Sequence, residues 1–190
     1  MRCFLAVPLE QPALGTAQAL LDALRHQYPD VRWVRPDALH LTVHFFGGIG
    51  EDDATRALEA VRPAVESTSA FEMSLDALGA FPDRGSPRVL WLGTTREPPR
   101  LLRLATSSRE ALSRAGFEVE SRPFRAHCTL GRPRTVWPPL VRQAWRMLAA
   151  QPVDAAPFVA ARLVLYESVH ATGGKRYLER SSLALSSRAP

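Results

Sequence analysis

Leu39-His40-Leu41-Thr42-Val43-His44-Phe45-Phe46 alternates its side chains in the way expected of a strand with one face in the core. The core face is predicted to carry Leu39, Leu41, Val43 and Phe45, and the open face His40, Thr42, His44 and Phe46. His40 and Thr42 would then point together into a cleft, with Cα atoms roughly 6.5–7 Å apart. The stretch therefore predicts a half-buried strand that presents an imidazole beside a hydroxyl.

The same design occurs a second time, at residues 124–131. There the apolar face would carry Ala126, Cys128 and Leu130, and the polar face Arg125, His127 and Thr129. The second histidine follows the first by 87 residues. One His-x-Thr triplet is common by chance, but two copies on alternating strands, each with its histidine on the polar face, indicate a shared function.

The order of the predicted elements along the chain is β-α-β-α-β-β-α-β-α-β-β. The helices are predicted from apolar stripes within residues 14–28, 54–65, 101–115 and 140–148. Strand pairs without a helix between them indicate antiparallel pairing, so the fold class is α+β and not a doubly wound parallel sheet. Because a helix leads into a His-x-Thr strand in each half, we expect two similar lobes that face each other.

Several local features are also predicted. We expect Pro63 to bend or shorten the second helix and Gly116 to end the third. Residues 71–77 and 89–92 are expected to form a hairpin, with residues 81–87 as its loop. The other expectations are a connector at 33–36, the start of a strand at 117–120, a strand at 163–166, a turn at 173–174 and a last strand at 177–185.

The charge of the chain favours an anionic partner. The 190 residues carry a formal net charge of +5, and 23 of the 24 basic residues are arginine. Residues 121–153 contain no acidic residue but include Arg122, Arg125, Arg132, Arg134, Arg142 and Arg146. Because this basic block surrounds His127, we interpret it as a patch that attracts phosphate.

The cysteines and the apolar runs set the expected compartment. Cys3 and Cys128 have neither disulfide nor zinc spacing, which favours a reducing cytoplasm. The apolar run at the start is too short for a secretory leader, and no run approaches the ~20 residues of a membrane span. We therefore expect a cytoplasmic protein without a membrane partner.

Two imidazoles across a cleft suit paired acid–base chemistry, because their pKa values lie near neutral pH. One neutral histidine can take a proton from water while a protonated one gives a proton to a leaving oxygen. The threonine hydroxyls can hold phosphoryl oxygens, and arginines can neutralise the developing charge. Together these groups predict phosphodiester chemistry without a metal or another cofactor.

Other arrangements fit the sequence less well. His40 and His44 would lie roughly 13 Å apart on a strand, which is too far for one zinc ion. Cys128 and His127 would point to opposite faces, so they do not form a nucleophile pair. Trp33, Phe46 and Trp137 could stack a base at the cleft rim, although packing is the simpler role for each. Tyr166 is assigned to the core.

The doubled motif, His40-Leu41-Thr42-Val43 and His127-Cys128-Thr129-Leu130, resembles the 2H phosphoesterase superfamily. It is most similar to the RNA 2′,3′-cyclic phosphodiesterase branch, also called the 2′-5′ RNA ligase or LigT-like family. The resemblance runs along the whole chain and includes residues 2–8, 33–39, 45–47, 87–91, 122–125 and 165–168, together with Gly174 and Tyr177.

The resemblance implies a two-lobed α+β fold over residues 1–190, a single domain with two mostly antiparallel sheets and outer helices around a central cleft. It implies hydrolysis of an RNA terminal 2′,3′-cyclic phosphate to a 2′-phosphate, with 2′-5′ ligation as the reverse reaction. His40 would be the proton donor and His127 the proton acceptor, while Thr42 and Thr129 would hold phosphate oxygens. Arg132, Arg125 and Phe46 are the candidate substrate-binding residues, and no metal or cofactor is expected.

The partner implied is an RNA 3′ end or a nucleotide with a 2′,3′-cyclic phosphate, and we expect a monomer without an obligatory protein partner. His44 stands where a long basic or apolar residue is expected, and Cys128 should face the core and be inert. The sequence leaves two alternatives open. One is a phosphodiesterase acting on a small cyclic nucleotide or a 2′-5′ linkage, and the other is an RNA-end-binding module without catalysis.

Overall fold

A computed structural model describes residues 1–172 and 174–187 of the chain. Its four α-helices are α1 (Ala13–Gln27), α2 (Glu51–Glu66), α3 (Pro99–Arg114) and α4 (Pro139–Ala149). The first five strands are β1 (Arg2–Pro8), β2 (Val31–Trp33), β3 (His40–Gly48), β4 (Phe71–Met73) and β5 (Ala77–Phe81). The other five are β6 (Val89–Gly93), β7 (His127–Pro133), β8 (Phe158–Ala160), β9 (Arg162–Ala171) and β10 (Gly174–Ala184).

The strands build one large sheet and one small one. The large sheet has the order β10-β9-β1-β3-β7-β6-β5, with β2 also paired to β7, and the small sheet pairs β4 with β8. All of these named strand pairs are antiparallel. The helices pack apolar stripes into the core, and the α+β class is confirmed.

The two motif strands, β3 and β7, meet at the centre of the large sheet through a single residue pair, Leu41 with Cys128. Both residues are fully buried, so the two strands approach each other over a shared apolar core. The two expected sheets are therefore halves of one continuous sheet. One half is built around β3 and the other around β7, so the two His-x-Thr motifs lie side by side.

The predicted alternation of β3 is wrong beyond Val43. Leu5 of β1 pairs with His44, but the next residue of β1 pairs with Thr42, so Val43 is an extra residue in the ladder. Such a bulge reverses which face the following side chains occupy. His44 is therefore buried at 6% exposure instead of lying on the open face, and Phe45, predicted in the core, is 51% exposed.

Some local predictions are confirmed and others are not. Gly116 does end α3, with φ at 84°, a conformation that suits glycine. Pro63 does not shorten α2, which continues to Glu66. No strand forms at residues 117–120. The predicted 173–174 turn includes Gly173, which lies outside the described residues.

The pairing around residues 71–93 also differs from the prediction. The partner of β6 is β5, which begins at Ala77 and takes in the start of the predicted loop. Residues 71–73 instead pair with β8, a strand that the sequence did not indicate. The connector predicted at residues 33–36 begins inside β2, which pairs with the end of β7.

Candidate active site

Both motif histidines are oriented in the same way by the backbone. The Nδ1 atom of His40 lies 2.8 Å from the carbonyl oxygen of Ala38, and the Nδ1 atom of His127 lies 2.8 Å from that of Arg125. A carbonyl can only accept, so each Nδ1 carries the hydrogen. Each neutral ring therefore keeps Nε2 as a free base, and each Nδ1–H bond fixes the ring orientation.

The strand register brings the two motifs together. Leu41 pairs with Cys128, and continuing this antiparallel register by one residue on each side sets His40 against Thr129 and Thr42 against His127. In such a ladder the diagonal from His40 to His127 spans about 7–8 Å between Cα atoms. All four side chains are partly exposed, so the open face of the sheet carries two imidazoles and two hydroxyls.

Aromatic rings surround the first histidine. The ring centroid of His40 lies 4.7 Å from that of Phe4, 5.2 Å from that of Tyr177 and 6.2 Å from that of Tyr166. Tyr166, assigned to the core from the sequence, thus lies at the cleft as well. These rings exclude water from one side of His40 and hold its plane.

The surroundings of His127 are more polar. The Phe81 ring meets the His127 ring edge-on at 5.0 Å. Arg125 lies over the rings of Phe81 and Trp91, at 4.9 and 5.5 Å, and its guanidinium is 3.3 Å from a carboxylate oxygen of Asp83. Arg125 is therefore beside the site, but its charge is already shared with a partner.

The pKa values of both histidines are lowered in the empty cleft. Burial lowers the pKa of His40 to about 4, with a smaller contribution from the charge of His127. Burial also lowers the pKa of His127, and the charges of Arg125 and Arg132 act in the same direction. Both rings are therefore neutral at pH 7 until an anion enters and favours a proton on one of them.

Arg132 reaches the site because β7 contains a bulge. Leu90 pairs with Gly131 and Trp91 with Thr129, so Leu130 is an extra residue in the ladder. Strict alternation would put Arg132 on the core face with Cys128, but the bulge turns it to the open face, where it is exposed. Its positive charge acts on both His127 and Tyr177.

Three other residues singled out from the sequence lie away from the open face. Phe46 packs edge-on against His44 and Phe117, at 4.5 and 5.5 Å between ring centroids, and is not part of the ring cluster around His40. Cys128 is fully buried, which confirms that it faces the core, and burial raises the pKa of its thiol to about 12. His44 is in the core and cannot share a ligand with His40.

Known proteins resemble this chain along most of its length. The model of the 2′-5′ RNA ligase superfamily matches residues 12–171. The chain belongs to the 2′-5′ RNA ligase superfamily. The RNA 2′,3′-cyclic phosphodiesterase of Archaeoglobus fulgidus is 37% identical over 132 residues, which cover 70% of this chain and 72% of the relative. The protein of the same name from Escherichia coli is 31% identical over 187 residues, covering 97% and 96%.

Solved structures agree with this membership of the 2′-5′ RNA ligase superfamily. The crystal structure of Escherichia coli LigT complexed with 3′-AMP has a TM-score of 0.75 and 26% identity, and the match covers 97% of each chain. A Thermus thermophilus protein, at 24% identity and a TM-score of 0.80, shares the fold over 97% of this chain and 98% of its own. The α+β LigT-like fold that the resemblance implied is thus confirmed.

Sequence reasoning missed the aromatic surroundings of the site in this 2′-5′ RNA ligase superfamily member. Phe4 lies in a run of residues that is almost entirely apolar, so no alternation of polar and apolar side chains marks it as a neighbour of His40. Phe81 was placed in a loop, whereas it ends β5 beside His127.

Within residues 1–172 and 174–187, no helix is both long and apolar enough to cross a membrane.

Proposed function

We propose that this protein is an RNA 2′,3′-cyclic phosphodiesterase, which hydrolyses the terminal cyclic phosphate to a 2′-phosphate without a metal or another cofactor. The observation that carries the proposal is the matched pair of imidazoles. Each donates Nδ1–H to the carbonyl two residues before it and leaves Nε2 free on the face that holds Thr42 and Thr129. The relatives named above carry the same activity in their names.

In the proposed reaction, His127 Nε2 takes a proton from water as the water oxygen forms a bond to phosphorus. The bond from phosphorus to the 3′ oxygen breaks, and protonated His40 gives its Nε2 proton to that oxygen. His40 ends neutral and His127 ends protonated, and exchange with solvent restores the starting state. In 2′-5′ ligation a 5′ hydroxyl would take the place of the water. His127 would accept the proton of that hydroxyl as its oxygen bonds to phosphorus, and His40 would again protonate the leaving 3′ oxygen.

The remaining polar groups hold the phosphate. Because Thr129 lies across from His40 and Thr42 across from His127, each hydroxyl can donate to a non-bridging oxygen between the two rings. Arg132 supplies positive charge on the same face, where charge develops on the phosphoryl oxygens. Arg125 can join it only by sharing its charge between the phosphate and Asp83.

The two environments differ in what each proposed role requires. Burial lowers the pKa of His40 to about 4 in the empty cleft, so its role as proton donor requires the anionic substrate to favour the imidazolium in the complex. Burial, together with the charges of Arg125 and Arg132, lowers the pKa of His127 and keeps its ring neutral and able to accept a proton. The assignment of His127 as base follows from its surroundings, and the assignment of His40 as acid follows from the family resemblance.

We further propose that the protein acts in the cytoplasm as a monomer without an obligatory protein partner. Residues 1–190 would form a single domain of two pseudo-symmetric lobes, each of which contributes one His-x-Thr strand. The substrate would be an RNA 3′ end or a nucleotide with a 2′,3′-cyclic phosphate.

Alanine substitution tests the roles of the histidines. His40→Ala and His127→Ala should each lower kcat for a cyclic-phosphate RNA by about 10²–10⁴-fold, because each removes one proton transfer. His26→Ala is the matched control, since His26 is exposed on α1. Full activity in either motif variant would contradict the proposed roles. Salt-sensitive RNA binding by a wild-type protein that forms no product would instead indicate a binding module.

A further inference from the structure

Two arginines face each other across the end of β7. In the β2–β7 ladder, Arg32 is the direct partner of Arg132, and Trp33 is the partner of Gly131. Residues directly opposite in an antiparallel pair share one face of the sheet, with Cβ atoms about 4.5–5.5 Å apart. Arg32 therefore lies on the face to which the β7 bulge turns Arg132, the face of the catalytic cleft.

The opposite face at this point is packed. Val31 is buried, and a Cβ at Gly131 would lie 2.6 Å from Val31 Cγ1 and 2.8 Å from Trp33 Cε3. The side chains of Val31 and Trp33 thus fill the core side of the ladder. Arg32 and Arg132 are both exposed, so their guanidinium groups extend over the open side.

In the part of the chain that the structure describes, this pair of arginines has no acidic partner. Among residues 1–172 and 174–187, neither Arg32 nor Arg132 has an ion pair or a hydrogen bond from its side chain. Arginines close by in sequence are paired, Arg25 with Asp22 and Arg35 with Asp37. Arginine stays charged at any physiological pH, and like charges directly opposite in a ladder are unfavourable. An anion between the two guanidinium groups would remove that repulsion.

We propose that Arg32 and Arg132 form a second phosphate site, which binds the internucleotide phosphodiester on the 5′ side of the terminal nucleotide. The inference rests on the proposed function, in which the cyclic phosphate lies between His40 and His127. Arg132 follows Thr129 by three residues, about 10 Å along an extended strand. The pair therefore lies beyond the reacting phosphate, where the RNA chain would leave the cleft. Arg132 would lie between the cyclic phosphate and the internucleotide phosphodiester, and Arg32 on the far side of the phosphodiester.

The site predicts a preference for oligonucleotides over mononucleotides. A nucleoside 2′,3′-cyclic monophosphate has only the reacting phosphate, whereas a dinucleotide with the same end adds one phosphodiester. Arginine suits this role because its planar fork can donate two hydrogen bonds to phosphate oxygens. Arg32 would then contribute to the binding of RNA and not to the chemical step.

The test compares kinetics of wild type and Arg32→Gln on cytidine 2′,3′-cyclic monophosphate and on a dinucleotide ending in the same group. For the dinucleotide, Arg32→Gln should raise KM about 10-fold, as expected for loss of one charge-assisted contact, and leave kcat unchanged. For the mononucleotide, neither constant should change. Arg103→Gln, which removes the charge of an exposed arginine on α3, should behave as wild type on both.

An equal loss on both substrates, or no loss on either, would overturn the inference. If the wild type hydrolyses neither substrate, the proposed function has failed, and binding then decides the case for Arg32 separately. In fluorescence anisotropy with a 5′-labelled dinucleotide, Arg32→Gln should weaken binding and lower the slope of log K against log salt by about one. Unchanged affinity and slope would overturn the site. Arg32→Lys, which keeps the charge, should recover part of the affinity.

Discussion

We predict that His44 makes the folded protein sensitive to acid in a way that does not involve catalysis. The imidazole is 6% exposed, its Nε2 atom is buried with no hydrogen-bond partner among the described residues, and burial lowers its pKa to about 4. In the unfolded chain the pKa returns to about 6.5. The unfolded state therefore binds a proton more readily, and stability is lost as the pH falls from 6.5 towards 4.

The size of the effect follows from the two pKa values. A pKa of about 4 in the folded protein against about 6.5 in the unfolded chain corresponds to roughly 3 kcal/mol when the loss is complete. Between pH 7 and pH 5 the part lost through His44 is about 2 kcal/mol. His44→Leu removes this titration. Between pH 7 and pH 5 the free energy of unfolding should therefore decrease less in the variant than in the wild type, and the two decreases should differ by about 2 kcal/mol.

Urea unfolding followed by circular dichroism at the two pH values measures this difference. Comparing the change with pH, and not the stability at one pH, separates the titration from any repacking around Phe46 and Phe117. His26→Leu, at an exposed position on α1, should keep the wild-type dependence on pH. The reasoning would be refuted if His44→Leu lost as much stability as the wild type between pH 7 and pH 5.

Three further predictions concern the site. Burial lowers the pKa of His40 in the free enzyme, and a bound anion raises it again in the complex. We therefore expect kcat/KM, which reports the free enzyme, to be highest below about pH 6.5, and kcat, which reports the complex, to have its optimum at higher pH. Coinciding pH profiles of the two constants would contradict this. Thr42→Val and Thr129→Val should each lower kcat about 10–100-fold for loss of one hydrogen bond to the transition state, with unchanged circular dichroism, and full activity would exclude the hydroxyls. A Cβ at Gly93 would lie 2.7 Å from the carbonyl oxygen of Ala126. Gly93→Ala should therefore lower the free energy of unfolding, measured in urea, by about 1–3 kcal/mol and also reduce activity. A variant as stable as the wild type would show that the backbone before His127 can move to make room.

The alternation of polar and apolar residues predicted the central strands and the motif residues because strand geometry is regular there. Leu41 and Cys128 are buried, and His40 and His127 lie on the open face, as the period of two requires. The register that puts the two strands side by side is not local information. The cleft was predicted from the resemblance along the whole chain, and its geometry became visible only in the pairing of Leu41 with Cys128.

The error on β3 has a physical origin in a bulge, because an extra residue at Val43 moved His44 into the core. A bulge on β7, with an extra residue at Leu130, places on the open face the arginine that the resemblance had named, Arg132, where strict alternation would have put it in the core. A bulge depends on how a strand fits its neighbour, so it leaves no mark in the pattern of one strand. For the same reason Arg32, on a strand of three residues, could be placed opposite Arg132 only from the ladder.

Short strands were missed because three residues carry too little pattern. Residues 158–160 and 31–33 each depend on a partner distant in sequence, β4 for the first and β7 for the second. The aromatic wall around His40 likewise combines β1 with β9 and β10, three elements far apart in the chain. Contacts of this kind follow from the sheet order and not from composition.

The most direct test of the central claim is phosphorus NMR of a short RNA with a 2′,3′-cyclic phosphate, incubated with the purified protein in the presence of a chelator. We predict complete conversion to a 2′-phosphate, because His40 and His127 supply both proton transfers and the 3′ oxygen is the leaving group. A 3′-phosphate would contradict the assigned leaving oxygen, and hydrolysis only after a divalent metal is restored would contradict the two-histidine mechanism.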